Sequence, residues 1–219
     1  MFETNFQNVF LDDFVVHFLA NELELQQIIG IDVDFDTMNK ELKNEVKQEC
    51  YDFMLKNEIL SMDFGGNTVV EDKYKELIKA FEYPEYCCIV QTVDNENDQS
   101  AQRKIYSSNN AYIGLDYVDE SSSAVYKFDN EQDANSFAFL DLNIYSNQID
   151  DNMNGIAIGD LEKEINSAKK CVIVTEYIMT QDGYESLQKV YILKDDWYEA
   201  LADENEQIVL CKVLYPVSI

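Results

Sequence analysis

Basic residues are scarce in this chain, and so are the glycine patterns that build phosphate cradles. Sixteen Lys and Arg stand against 43 Asp and Glu in 219 residues, a formal net charge of −27. A surface so rich in carboxylates repels phosphate backbones and anionic lipid, which argues against nucleic acid and membrane as partners and favours a basic or polar protein surface. The same charge also serves plain solubility. The seven glycines are scattered at turns. No GxGxxG, P-loop or GxSxG spacing occurs, so the dinucleotide, nucleotide and serine-hydrolase signatures are missing. No segment approaches the roughly 20 apolar residues of a membrane span. The first Lys or Arg is Lys40, and Asp12 and Asp13 interrupt the leading apolar run. A signal peptide is therefore not expected, and the expected location is the cytoplasm.

Histidine and tryptophan occur once each, and no two of the five cysteines form a CxxC pair. An odd number of cysteines, with Cys87 and Cys88 adjacent in an apolar run, fits reduced buried thiols better than a disulfide framework or a zinc knuckle. His17 sits beside Phe18 and Leu19 in a helical pattern. Pairing it with Cys50, Cys87 or Cys88 for nucleophilic catalysis lacks an orienting Asn and an oxyanion turn, so a structural role is favoured. Asp150, Asn152, Asn154 and Gly155 match the opening of a calcium-binding EF-hand loop, but position twelve is Leu161 where a bidentate Glu is needed. Asp32, Asp34 and Asp36 read as one solvated face of an extended connection, with Asp36 near a helix N-terminus that favours its charge. No catalytic, metal or cofactor constellation emerges, and the chain is not expected to be an enzyme.

What the chain does have is material for a core: 46% apolar residues, with fourteen Tyr and twelve Phe. That content sets it apart from disordered acidic chains and allows one domain over residues 1–219. Its organising stretch is 69–93. Val70, Tyr74, Leu77, Ile78 and Phe81 recur as the apolar stripe of an amphipathic helix. Pro84 ends that helix and should push Tyr83 toward extended geometry. Residues 86–90 are then apolar at every position, as in a strand covered on both faces.

Before this stretch the pattern is helical. Leu11, Phe14, Val15, Phe18, Leu19 and Leu23 share a face, with Gly30 at the exit. A second helix carries Leu42, Val46, Cys50, Phe53 and Met54 and is expected to reach Leu60, with Gly65 and Gly66 as the next turn. After it, the polar run 94–100 reads as a hairpin loop longer than the usual two to five residues. Strands are expected at 103–107, 111–118 and 123–128. Asn130 can cap a helix with Ala134, Phe137 and Ala138, while the alternation over 139–144 fits a strand as well as a helix. Asp160 caps a short helix at 161–168 after the extended 155–158. Strands follow at 171–179, 188–193 and 208–214, with Asp182 and Gly183 as a hairpin turn and Trp197 opening the last connection. The expected fold is α+β, a central antiparallel sheet flanked by two helical subdomains with a coarse pseudo-two-fold arrangement. Its parts are a helical 1–85, a first part of the sheet at 86–128, a second helical part at 129–170 and terminal strands at 171–219.

In element order the chain resembles the EspG family, the cytoplasmic chaperones of type VII (ESX) secretion. The resembling residues are Leu77, Ile78, Lys79, Ala80, Phe81, Glu82, Tyr83 and Pro84 leading into the 87–92 strand. They continue through the meander at 103–128, the phrase Ile156, Ala157, Ile158, Gly159, Asp160, Leu161, and the terminal Asp196, Trp197 and Tyr198. The resemblance implies a chaperone or adaptor that keeps a secreted substrate soluble, recognising a helical targeting segment. It places partner binding on the loop after the first sheet strand, here Asp94, Asn95, Glu96, Asn97 and Asp98, and on the second helical part, here Phe137, Leu140, Leu161 and Ile165. Tyr191 and Asp195 have the spacing of a type VII export signal, but they lie on and just after a predicted strand, so the chain reads as carrier rather than cargo. The rival reading is an immunity protein that neutralises a basic toxin, for which an acidic α+β domain serves equally.

Overall fold

The computed structural model describes residues 11, 13–25, 28–30, 38–108, 111–119, 122–139, 156–202 and 207–213. The chain enters through α1 (Asp13–Glu22), whose Val15, Val16, Leu19 and Ala20 are buried. The second helix, α2 (Lys40–Lys56), starts at Asn39, whose side chain accepts from the Leu42 amide. It stops short of Leu60. Asn57 and Glu58 turn the chain, Glu58 with a left-handed φ of 55°, and Leu60 instead opens a small hairpin of β1 (Leu60–Met62) and β2 (Thr68–Val70). Gly65 and Gly66 form its tip, and Val70, expected in the helical stripe, belongs to β2.

The third helix, α3 (Asp72–Lys79), buries Tyr74, Leu77 and Ile78. The helix ends at Lys79 with Ala80 as its cap, so Phe81, expected in the helical stripe, lies in the turn that follows. Tyr83 before Pro84 is left-handed, with a φ of 46°, rather than extended. The Pro84 carbonyl accepts from the Tyr184 hydroxyl at 2.8 Å, which fixes the junction against the sheet. Four strands follow as a meander: β3 (Tyr86–Asp94), β4 (Gln99–Ser108), β5 (Ala111–Asp119) and β6 (Ser122–Phe128). Then come α4 (Glu131–Ala138), the two-residue β7 (Ile156–Ala157) and α5 (Leu161–Ser167). A second meander closes the chain: β8 (Lys170–Thr180), β9 (Gly183–Leu193), β10 (Trp197–Ala202) and β11 (Ile208–Lys212). Trp197, expected to open a connection, begins β10 and is buried.

All of these strands except β1 and β2 form one antiparallel sheet in the order β6-β5-β4-β3-β8-β9-β10-β11-β7. The molecule is thus α+β around a large antiparallel sheet. The two meanders meet through their first strands, with Val90 opposite Val174 at the middle of the β3–β8 pair. Antiparallel neighbours reverse direction and keep faces, so the halves are related by a two-fold axis normal to the sheet at that pair. Such an axis requires the helix before each meander to lie on the same face, and α3 and α5 do. One face carries Cys87, Tyr106, Ile113 and Leu115 against α1, α2 and α3, and further along Ile192, Tyr198 and Leu210 against α5. The opposite face carries Cys88, Val90, Ile105, Val172 and Val174, with Ala134 and Phe137 of α4 packed on it. The apolar run of β3 is explained by this arrangement, since both of its faces are covered.

Two contacts fix helices to the sheet. Lys104, only 3% exposed, reaches from β4 to the Asp13 carboxylate at 3.0 Å, and the Tyr117 hydroxyl also donates to Asp13. On the other face, α4 sits so close to β5 that a Cβ at Gly114 would lie 2.6 Å from the Phe137 ring. Only glycine leaves room there. All five cysteines are buried and free.

Candidate partner-binding surface and cavity

The expected long loop at 94–100 is a tight turn. Asp94 still pairs with Gln99, so only residues 95–98 leave the ladder. Asp94 builds the turn: its carboxylate accepts from the amides of Glu96 and Asn97 and from the Asn97 carboxamide, each at 3.1 Å. The Asn97 carboxamide foremost, then the Asn97 amide and Lys170, hold the Asp94 carboxyl below the usual range against the opposing effect of burial. Asp98 closes the turn with a φ of 52°, a conformation Asp tolerates better than most residues.

Asn95 ties this turn to α5. Its carboxamide donates to the carbonyls of Ile165 at 3.0 Å and Ala168 at 2.8 Å, and its amide donates to the Lys169 carbonyl at 2.9 Å. The Ile165 carbonyl also accepts from the Ala168 amide at 3.3 Å, and the carbonyls of Ala168 and Lys169 lie just past α5, beyond its own ladder of bonds. At the other end, the Asp160 side chain accepts from the Lys163 amide, as its position predicts. Leu161 and Ile165 turn inward, half-buried on the Ile192, Tyr198 and Leu210 cluster, while Glu162, Lys163 and Asn166 face outward. Asp94, Asn95, Glu96, Asn97 and Asp98 are therefore brought together with α5, and what this region exposes is polar. Phe137 lies on the opposite face, 2% exposed, as part of the core under α4. Leu140, Asp150 to Gly155 and the Asp32, Asp34 and Asp36 group lie outside the described residues.

On the α4 face a cavity of about 540 Å³ opens between the helix and strands β3, β8 and β9. Its floor is polar. Glu176 accepts from the Tyr86 hydroxyl at 2.7 Å and from the Lys189 ammonium at 3.1 Å. Tyr191, directly opposite Glu199 in the β9–β10 ladder, forms one wall. Glu199 is 5% exposed and makes no side-chain hydrogen bond or ion pair among the described residues. Burial raises its carboxyl above the usual range, with Lys189 pulling the other way. Burial likewise raises the Tyr86 and Tyr191 phenols, reinforced at both by nearby acidic groups. The helix side contributes Glu131, Gln132, Asn135 and Ser136. Sequence reasoning missed this site, because its strand residues are scattered from 86 to 191 and converge only through the register. Among the described residues, no three His, Cys, Asp or Glu side chains form a metal-holding group.

No family model matches the sequence, and no curated protein matches it. Among solved structures, the chain is similar to the Mycobacterium tuberculosis type VII secretion system chaperone EspG5, in a structure of its complex with a PE25–PPE41 dimer. The TM-score is 0.59 over 95% of this chain and 91% of that one, at 8% identity. The fold is EspG-like. The likeness runs nearly the full length of both chains, so the architecture expected from element order is the one adopted. At this identity the EspG-like character is a matter of fold.

Proposed function

We propose that this chain is a chaperone or adaptor of type VII secretion, which binds a secreted protein substrate or its helical targeting segment in the cytoplasm and keeps it soluble. The observation that supports this reading is the near full-length likeness to EspG5, a chaperone whose structure includes a bound PE25–PPE41 dimer. The contact surface on this reading is the 95–98 turn together with the outer face of α5. It is exposed, and the Asn95 bridge holds its two parts in one geometry before any partner arrives. A surface ordered in advance loses less conformational freedom on binding. Glu96, Asp98 and Glu162 make it acidic and suit a partner with a basic or polar rim.

The test is to capture partners from native lysate, identify those that the cell also releases into the medium, and measure binding with purified components. Glu96→Lys with Asp98→Asn, which keeps a residue suited to the left-handed turn position, should weaken the complex at least tenfold without lowering the unfolding midpoint, and removing this protein should lower the soluble cytoplasmic fraction of the captured substrate. Capture of a toxin catalytic domain whose activity is blocked, with no secreted substrate bound, would overturn the reading.

A further inference from the structure

We infer that the cavity between α4 and the β3–β8–β9 face binds an organic cation, an ammonium or guanidinium group carried on a short apolar stem. This site is distinct from the turn and α5 surface and does not depend on the chaperone reading.

The volume, about 540 Å³, falls in the range of small-ligand sites, about 300–1,000 Å³. The charge is unbalanced. Glu131 and Glu176 line the space and Glu199 lies behind the Tyr191 wall, against the single ammonium of Lys189, which is already engaged by Glu176. An anion entering here meets the carboxyl groups of Glu131 and Glu176. A cation meets acceptors on both, and Glu199, 5% exposed beyond the Tyr191 wall, adds to the negative field. Two carboxylates facing one ammonium in a confined space favour a compensating positive charge.

The helix side points to the same ligand. A short helix packed on a sheet normally turns apolar residues inward, and α4 does this with Ala134, Phe137 and Ala138. Its adjoining stripe, Gln132, Asn135 and Ser136, faces the cavity, yet none of the three makes a side-chain hydrogen bond among the described residues. Two carboxamide oxygens and a hydroxyl are thus left available to accept from a multi-donor cation. Tyr86, Tyr191 and Phe139 supply aromatic walls, which attract cations through their ring faces and cover an apolar stem.

Two sources provide this chemistry, a free diamine and the Arg or Lys side chain of a bound polypeptide. The experiment titrates the full chain, labelled with ¹⁵N, with agmatine and separately with the blocked tripeptide acetyl-Leu-Arg-Leu-amide at constant ionic strength. The expected result is saturable shift changes concentrated at Tyr86, Asn135, Lys189 and Tyr191. Binding of both probes identifies a site open to protein side chains, whereas agmatine alone identifies a small-molecule site. Glu131→Gln, on the exposed first turn of α4, should weaken binding about threefold, and Glu176→Gln should weaken it about tenfold, as expected for loss of a charge-assisted contact. Because Glu176→Gln also disturbs Lys189, the Glu131 variant keeps the test decisive if the other is unstable. Shifts spread evenly over the acidic surface, no saturation with either probe, or acetate perturbing the same residues more strongly than agmatine would each overturn the inference.

Discussion

Lys104 and Asp13 meet across the interface between α1 and the sheet, 3.0 Å apart and with the lysine almost wholly buried. Asp13 retains some contact with solvent, so the two ends of the pair respond differently to mutation. Asp13→Asn leaves the buried ammonium without a counter-charge, bonded only to neutral groups such as the Tyr117 hydroxyl at 3.1 Å, and should lower stability by about 3 kcal/mol. Lys104→Met leaves a partly hydrated carboxylate and should cost about 1–2 kcal/mol. The double variant should be more stable than the sum of the two implies. Urea midpoints for the four proteins check this, and strict additivity would show that the pair contributes no coupling.

Gly114 sits directly under the Phe137 ring. Gly114→Ala forces the ring or the whole of α4 away and should destabilise by about 1–3 kcal/mol, as overpacking does. Phe137→Leu in the same chain should recover part of the loss. Thermal melts of the single and double variants measure it.

The thiols make a pH prediction. Burial pushes Cys87 up to about 12 and Cys88 and Cys171 up to about 11. A raised folded value means that the folded chain holds these protons more tightly than the unfolded chain. The resulting stability is complete below pH 9 and is lost as the pH climbs from about 9 toward 11–12. The slope is at most about 1.4 kcal/mol per pH unit for each thiol. Urea midpoints at pH 8, 9, 10 and 11 should fall progressively, and Ellman's reagent at pH 8 should label these thiols only after denaturant is added. Rapid labelling in the native state would refute the burial of Cys87, Cys88 and Cys171.

Asn95→Ala removes both side-chain bonds between the turn and α5. The site is exposed, so the expected loss is modest, about 1–2 kcal/mol for two hydrogen bonds. Hydrogen exchange should quicken locally in α5 and the 95–98 turn while β3 and β8 remain protected. A uniform acceleration across the sheet would mean that the bridge supports the whole fold rather than one surface.

Local signals were legible wherever a single residue dictates the backbone. Pro84 separates α3 from β3, Asn130 and Asp160 cap two other helices, and Gly183, with a φ of 128°, makes the β8–β9 turn beside Asp182. Composition misled where polarity was taken for a loop. Asp94, Gln99 and Ser100 are polar because that end of the sheet is solvated, not because the chain leaves the ladder. The β1–β2 hairpin was hidden for a related reason: its strands have three residues each, too short for an alternation to register, and Val70 fits a helical stripe equally well. The cavity had no local signature. Tyr86, Glu176 and Lys189 become neighbours only once β3 pairs with β8 and β8 with β9, and register between distant strands is not written in either strand alone.

The β3–β8 seam also bears on how the chain emerges from the ribosome. Within each meander, strands are joined by turns of a few residues, whereas Tyr86 and Glu176, joined across the seam, stand 90 residues apart. Closing that separation instead of a ten-residue hairpin adds about 2 kcal/mol of loop entropy, so the two meanders form ahead of their junction. During synthesis, β3 is paired on one side with β4 and keeps its other side open until β8 is made. An open strand edge rich in Cys, Ile and Val invites addition of a strand from another chain. The interval between the completion of β6 and the arrival of β8 is therefore when this protein is most exposed to aggregation, and slowing translation there should lower its soluble yield.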